Sequence, residues 1–191
     1  EDGGQRRYIL VQFPEPLDAA TAAAKLCEKS GLRPVISSLT RERLRRACET
    51  SVTPSRISGF KSFVLDKSNI KAWNPRVEDL PRTLLDNVEN VRPDRSSLDV
   101  LYEAILKLGL PLTTSIEQRQ VGNLVIHGVG GGVLMTCLAG RIAAAEVDAL
   151  ANEMVRWRRE LAPAGDSTAL FIDTAFADDV SKANLSEILK Q

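Results

Sequence analysis

The run Gly59-Phe60-Lys61-Ser62-Phe63-Val64-Leu65-Asp66-Lys67-Ser68-Asn69-Ile70-Lys71-Ala72-Trp73-Asn74-Pro75 decides how this chain is divided. Phe60, Phe63 and Leu65 stand among polar neighbours in a short β-rich stretch, which predicts a partly buried strand. Asp66 to Asn69 then supply side chains that favour turns, and Pro75 closes the segment. The residues before this strand and loop read as one strand and two helices. Those after it read as a separate mixed α/β unit.

Upstream, Arg6 to Phe13 is an apolar run entered from Gly3-Gly4 and ended by Pro14, the pattern of a buried parallel strand. Pro14, Pro16 and Asp18 predict a turn, with Asp18 as N-cap of an Ala-rich helix that ends near Gly31. Thr40 is placed to cap a second helix, whose Leu44, Ala47 and Cys48 share one side. Strand, helices and strand together make part of a doubly wound sheet. In such a sheet, a polar side chain at the end of the second strand can hydrogen-bond a nucleoside ribose. Gln12 and Glu15 occupy that point, and the alternative is that both are merely strand-end polar residues. Arg41, Arg43, Arg45 and Arg46 could pair with phosphates. Glu42 and Glu49 dilute them and no aromatic residues interleave, so a solvated helix face is the expected role.

Downstream, Asp79 to Val91 is polar and predicts a connecting arm. Ser96 to Leu108 predicts a helix opened by a capping-box-like Ser96 and Asp99, with Leu98, Leu101, Tyr102 and Ile105 as its apolar stripe. Thr113 to Val121, Leu124 to Val129 and Val133 to Leu138 predict strands. Gly130-Gly131-Gly132 could cradle a phosphate, but no Lys-Ser/Thr follows and a strand comes next, so an antiparallel hairpin turn is expected. Ala143, Val147, Leu150, Met154, Trp157 and Leu161 recur at helical spacing and mark a long amphipathic helix, packed on the core or else serving as a dimer seam. Thr168 to Asp173 predicts a further strand. Asp178 to Leu189 predicts a last helix with Val180, Ile188 and Leu189 turned inward. Asp173 ends a strand without a recognisable catalytic partner, and is expected to cap or orient the Phe176 loop.

Bulk properties narrow the function classes. The 191 residues carry 25 Lys plus Arg against 25 Asp plus Glu, so no global positive field draws the chain to DNA. No apolar run approaches the ~20 residues that span a bilayer. Cys27, Cys48 and Cys137 are odd in number and widely spaced, as expected of reduced thiols in the cytoplasm. The single histidine, His127, lies in an apolar run and is expected to be structural, and no metal site is visible. Glu1-Asp2-Gly3-Gly4 is no signal peptide, and the absence of an initiator Met is consistent with a fragment.

The opening stretch also resembles a known family. Gly-Phe-x-x-Phe-x-Leu-Asp followed by Ser-Asn-Ile-Lys and Trp is similar to the C-terminal region of the modification (Mod) subunits of type III restriction-modification systems. Three further stretches agree in order: Arg7 to Gln12, Leu101-Tyr102-Glu103 through Leu108 to Thr113, and Phe171 to Phe176, the last followed by Lys182-Ala183-Asn184. The resemblance implies a parent DNA adenine methyltransferase that uses S-adenosylmethionine. It implies the fold of a partial doubly wound, Rossmann-like methyltransferase segment (1–75), a connecting arm (76–95) and a mixed α/β C-terminal domain with an antiparallel hairpin (96–191). It also implies that Gln12 or Glu15 touches the cofactor, although many relatives place an acid where this chain has Gln12. Neither Asp-Pro-Pro-Tyr nor a Phe-x-Gly-x-Gly loop is present, so no catalytic residue is expected here, and family order puts the cofactor loop upstream of Glu1. The partners implied are DNA through the parent, a second Mod subunit and the restriction subunit.

Overall fold

The computed structural model of the chain describes residues 8–50, 59–71 and 91–190. They fall into two units, Glu1–Leu65 and Asp66–Gln191. The expected arm residues before Val91, and Arg6, Arg7 and Trp73 to Pro75, lie outside the described residues.

The first unit is built on two helices, α1 (Ala22–Lys29) and α2 (Ile36–Thr50). Helix α1 is capped by Thr21, whose Oγ1 accepts a 3.2 Å hydrogen bond from Ala24 N. Asp18 instead shapes the turn before it, its carboxylate accepting from Ala20 N at 2.9 Å. The helix ends at Gly31, whose φ of 66° suits the left-handed position that follows a helix. Pro16 and Val35 form an antiparallel bridge, flanked by Leu17 N donating to Pro34 O and Ile36 N to Glu15 O. That bridge, not Thr40, sets the start of α2. Thr40 lies one turn inside and donates back to Ile36 O.

The two strands expected in this unit do not form. Tyr8 to Phe13 and Gly59 to Leu65 enter no β-ladder, and Ile9, Val11 and Val64 are 86–90% exposed. A strand acquires its structure from the neighbour that pairs its N–H and C=O groups. Among the described residues neither run lies beside a strand in a ladder. The doubly wound arrangement is therefore not formed among them.

The second unit is a four-stranded mixed sheet, β1 (Ile116–Val121), β2 (Leu124–Val129), β3 (Leu134–Cys137) and β4 (Thr168–Phe171), in that spatial order. β1, β2 and β3 run antiparallel, whereas β4 lies parallel to β3 and follows helix α4 (Ala144–Leu161). Gly130, Gly131 and Gly132 join β2 to β3, each with φ between 62° and 95°. An L side chain rarely adopts that backbone, so the triple glycine is required by the turn.

Side chains alternate across the sheet and build two cores. On one face Ile126, Met135 and Cys137 meet α4 through Val147, Leu150, Met154 and Trp157, together with Leu185 of helix α5 (Asp179–Leu189). On the other, Val129 and Leu134 meet Val100, Leu101 and Ile105 of helix α3 (Ser97–Lys107). At Gly128 a Cβ would fall 2.9 Å from the Trp157 ring, so the indole needs glycine there. Arg119 lies over the same ring, its Cζ 4.8 Å from the Trp157 centroid, and pairs with Glu153 and Glu160.

Helix α3 begins with a complete capping box between Ser96 and Asp99. Its stripe is shifted from expectation: Val100 is buried while Leu98 is 47% exposed. In α5 the N-cap is Asp178, so Ser181, Leu185 and Ile188 share a side and Val180 turns out to 68% exposure. No helix among the described residues is long and apolar enough to cross a membrane.

Candidate functional site

The signature residues Asp66 to Ile70 are held on α3 by a polar clamp centred on Glu103. Ser68 Oγ donates to Glu103 Oε1 at 2.6 Å and Asn69 N to Oε2 at 2.7 Å. Lys107 Nζ, one helical turn on, lies 2.9 Å from Oε1. Asn69 also donates through Nδ2 to Asp99 O and accepts through its own carbonyl from Arg92 N, both at 2.9 Å. Asp66 pairs with Arg95 at 2.6 Å, and Ile70 bridges Val91. Burial alone would raise the Glu103 carboxyl, but donors from Ser68, Lys107 and Asn69 outweigh it and hold it at about 2. Both carboxylate oxygens are thus engaged by fixed donors. Glu103 serves as an anchor here, not as a poised base.

Sequence reasoning does not single out Glu103 as the centre of this clamp. The available signals are its i,i+4 spacing to Lys107 and its place in the Leu101-Tyr102-Glu103 match. Its other partners lie 34 and 35 positions away, beyond the reach of local pattern.

Gln12 and Glu15 stand in a different setting from the strand end expected of them. Both are exposed; Gln12 Nε2 donates to Phe13 O at 3.3 Å, and Glu15 contributes its carbonyl to the start of α2. Two exposed polar groups on an extended segment can form one edge of a nucleoside site. They do not by themselves enclose a cofactor.

The remaining candidates resolve into structural roles. Arg45 and Arg46 are paired with Glu42, whose carboxyl the two guanidinium groups hold at about 2, and Arg45 also pairs with Glu49. Asp173 opens a short 3-10 turn and binds Lys182 Nζ at 2.9 Å, while Phe171 and Phe176 meet edge-on at 5.8 Å. His127 and Thr136 are in-register neighbours on β2 and β3, and both are buried. His127 Nδ1 and Thr136 Oγ1 meet no hydrogen-bond partner, and burial lowers the imidazole pKa. The three cysteines are free thiols; Cys27 and Cys137 are buried, and burial pushes the Cys137 thiol up. Among the described residues no group of three or more His, Cys, Asp or Glu side chains could hold a metal ion.

Comparison with known proteins finds no matching family model, no matching curated protein and no matching solved structure.

Proposed function

We propose that the chain is the C-terminal part of a site-specific DNA adenine methyltransferase, the Mod subunit of a type III restriction-modification system, whose second unit is a non-catalytic assembly module. One observation carries this reading. Two stretches that resemble the family, Asp66 to Ile70 and Leu101 to Glu103, meet in a single hydrogen-bonded clamp although they lie some 34 positions apart. Agreement between a sequence signature and a cooperating set of side chains is what a shared structural unit requires.

In the parent, the methyl group of S-adenosylmethionine passes to the exocyclic amine of an adenine expelled from duplex DNA. Tyr8 to Phe13 and Phe60 to Leu65 fit strands of the parent's doubly wound sheet, with pairing partners supplied by the rest of the enzyme. Gln12 or Glu15 then offers a hydrogen bond to the nucleoside end of the cofactor. The second unit needs none of this machinery. It has its own sheet and two cores, and such a unit suits contact with a second Mod subunit or the restriction subunit, in the cytoplasm.

The test has two arms. Incubated with labelled S-adenosylmethionine and mixed-sequence DNA, the 191-residue chain is expected to incorporate no methyl above a protein-free blank. Deleting Ser96 to Gln191 from the parent is expected to impair subunit assembly, read by light scattering, more than cofactor binding. Methylation by the isolated chain, or full assembly after the deletion, would overturn the respective half of the proposal.

A further inference from the structure

Strand β4 closes the sheet on one side, and among the described residues no strand pairs on its far edge. An open edge of this kind accepts an extended peptide through backbone hydrogen bonds. Beside it lies a cavity of about 60 Å³ floored by Met135 and Met154 and walled by Ala169 and Leu189. Arg158 and Ser167 stand at the same cavity. The guanidinium is braced there, Nε donating to Ser167 Oγ at 2.9 Å and Nη2 to Gly165 O at 3.4 Å. Its two acceptors are neutral, and among the described residues Arg158 pairs with no carboxylate. On the same helix Arg156 does pair, with Glu153 and Glu160.

We infer that this edge and cavity capture the C-terminal end of a partner polypeptide, an extended strand finishing in a small branched aliphatic residue. The terminal carboxylate would be held by the Arg158 guanidinium, which is pre-oriented by Ser167 and Gly165 for charge-assisted hydrogen bonding. The last side chain would enter the methionine-floored cavity. Its volume is about four times what a single water needs, room for a small aliphatic group. A terminus also places carboxylate and aliphatic group on one Cα, matching a cation and an apolar cavity that share a wall. The inference rests on the assembly reading and gives that assembly a chemical form.

The probe is N-acetylvaline, with N-acetylvalinamide as its uncharged counterpart, titrated into the 191-residue chain carrying ¹³C-methyl methionine. The methyl signals of Met135 and Met154 are expected to shift with the acid and not with the amide. Arg158→Met should weaken the acid about tenfold or more, the usual effect of losing a charge-assisted bond. Arg159→Met, on the same helix but away from the cavity, should leave it unchanged. No shift with the acid, equal shifts with the amide, equal loss in both variants, or the same shifts with an octathymidylate would overturn the inference. Failure here would leave the deletion test of the assembly role standing. Conversely, saturable capture of N-acetylvaline alongside unimpaired assembly of the truncated parent would retain the carboxylate site and sink the assembly reading.

Discussion

The two units contain similar apolar runs but use them in opposite ways. In the first, Ile9, Leu10, Val11 and Phe13 stand largely in solvent, and among the described residues the buried apolar ones are Ala24, Cys27 and Val35. In the second, the equally apolar Leu124 to Val129 is largely sealed between two helical layers. Hydrophobicity is comparable in the two runs, so it cannot be the deciding variable. What differs is partnership: β2 has β1 on one side and β3 on the other, while Tyr8 to Phe13 pairs with no strand among the described residues. An apolar run states a demand for a neighbour, and the fold decides whether the demand is met.

Substitutions can test that contrast, beginning with the largest expected effect. Trp157→Ala should destabilise the second unit by about 3–5 kcal/mol, since it empties a fully buried indole site and removes the ring under Arg119. Urea unfolding monitored by circular dichroism would show it. A loss below about 1 kcal/mol would mean that the α4 layer is not the core of this unit.

Next comes Glu103→Ala, expected to cost about 1–3 kcal/mol because Ser68 Oγ and Asn69 N lose their acceptor. The same residue supplies a pH signature. Its carboxyl is depressed from 4.5 to about 2, so its contribution is complete above pH 4.5 and is lost as pH falls from there towards 2. Urea midpoints between about pH 6 and pH 3 should therefore fall more steeply in the native chain than in Glu103→Gln. Parallel profiles would show that the clamp does not hold the loop in solution.

His127 acts in a higher pH range. Burial lowers its pKa below 6.5, so the unfolded chain takes up the proton first and stability declines as pH falls below that value. A ring titration by NMR with a midpoint at or above 6.5 would contradict the buried, neutral imidazole.

Smallest is Val11→Ser in the first unit. At 88% exposure the side chain has little packing to lose, and the change should stay within about 0.5 kcal/mol. If it cost as much as a core truncation, the segment would have a partner in solution. That outcome would break the contrast between the units by showing that the first also completes its pairing.

Legibility in the sequence follows the range of the interaction. Ser96 with Asp99 announces α3 because the capping box is written within four residues, and α4 is announced by a stripe sustained over 18 residues. The start of α2 is harder to read because Thr40 resembles a cap, whereas the Pro16–Val35 bridge that sets Ile36 joins positions far apart in the chain. Val180 faces solvent against expectation because the phase of α5 depends on where Asp178 caps it. Composition makes strands of Tyr8 to Phe13 and Gly59 to Leu65, but composition cannot see a pairing partner. Gln12 and Glu15 share that fate, since their expected role is tied to a strand end. Glu103 escapes notice for the complementary reason: a single acid on a helix surface looks ordinary until Ser68 and Asn69 are folded onto it.

The order of strands has a consequence for how the sheet assembles in time. β1, β2 and β3 are joined by short turns, so their contacts close small loops at low entropic penalty. β4 reaches β3 only after the intervening 18-residue helix α4 has been laid against the sheet. Nucleation should therefore begin in the three-stranded meander, with parallel pairing of β4 as the late step. Truncations in the meander would then slow refolding, and truncations along β4 would chiefly hasten unfolding. The edge that finishes last is also one of the sheet's two outer edges, β1 being the other.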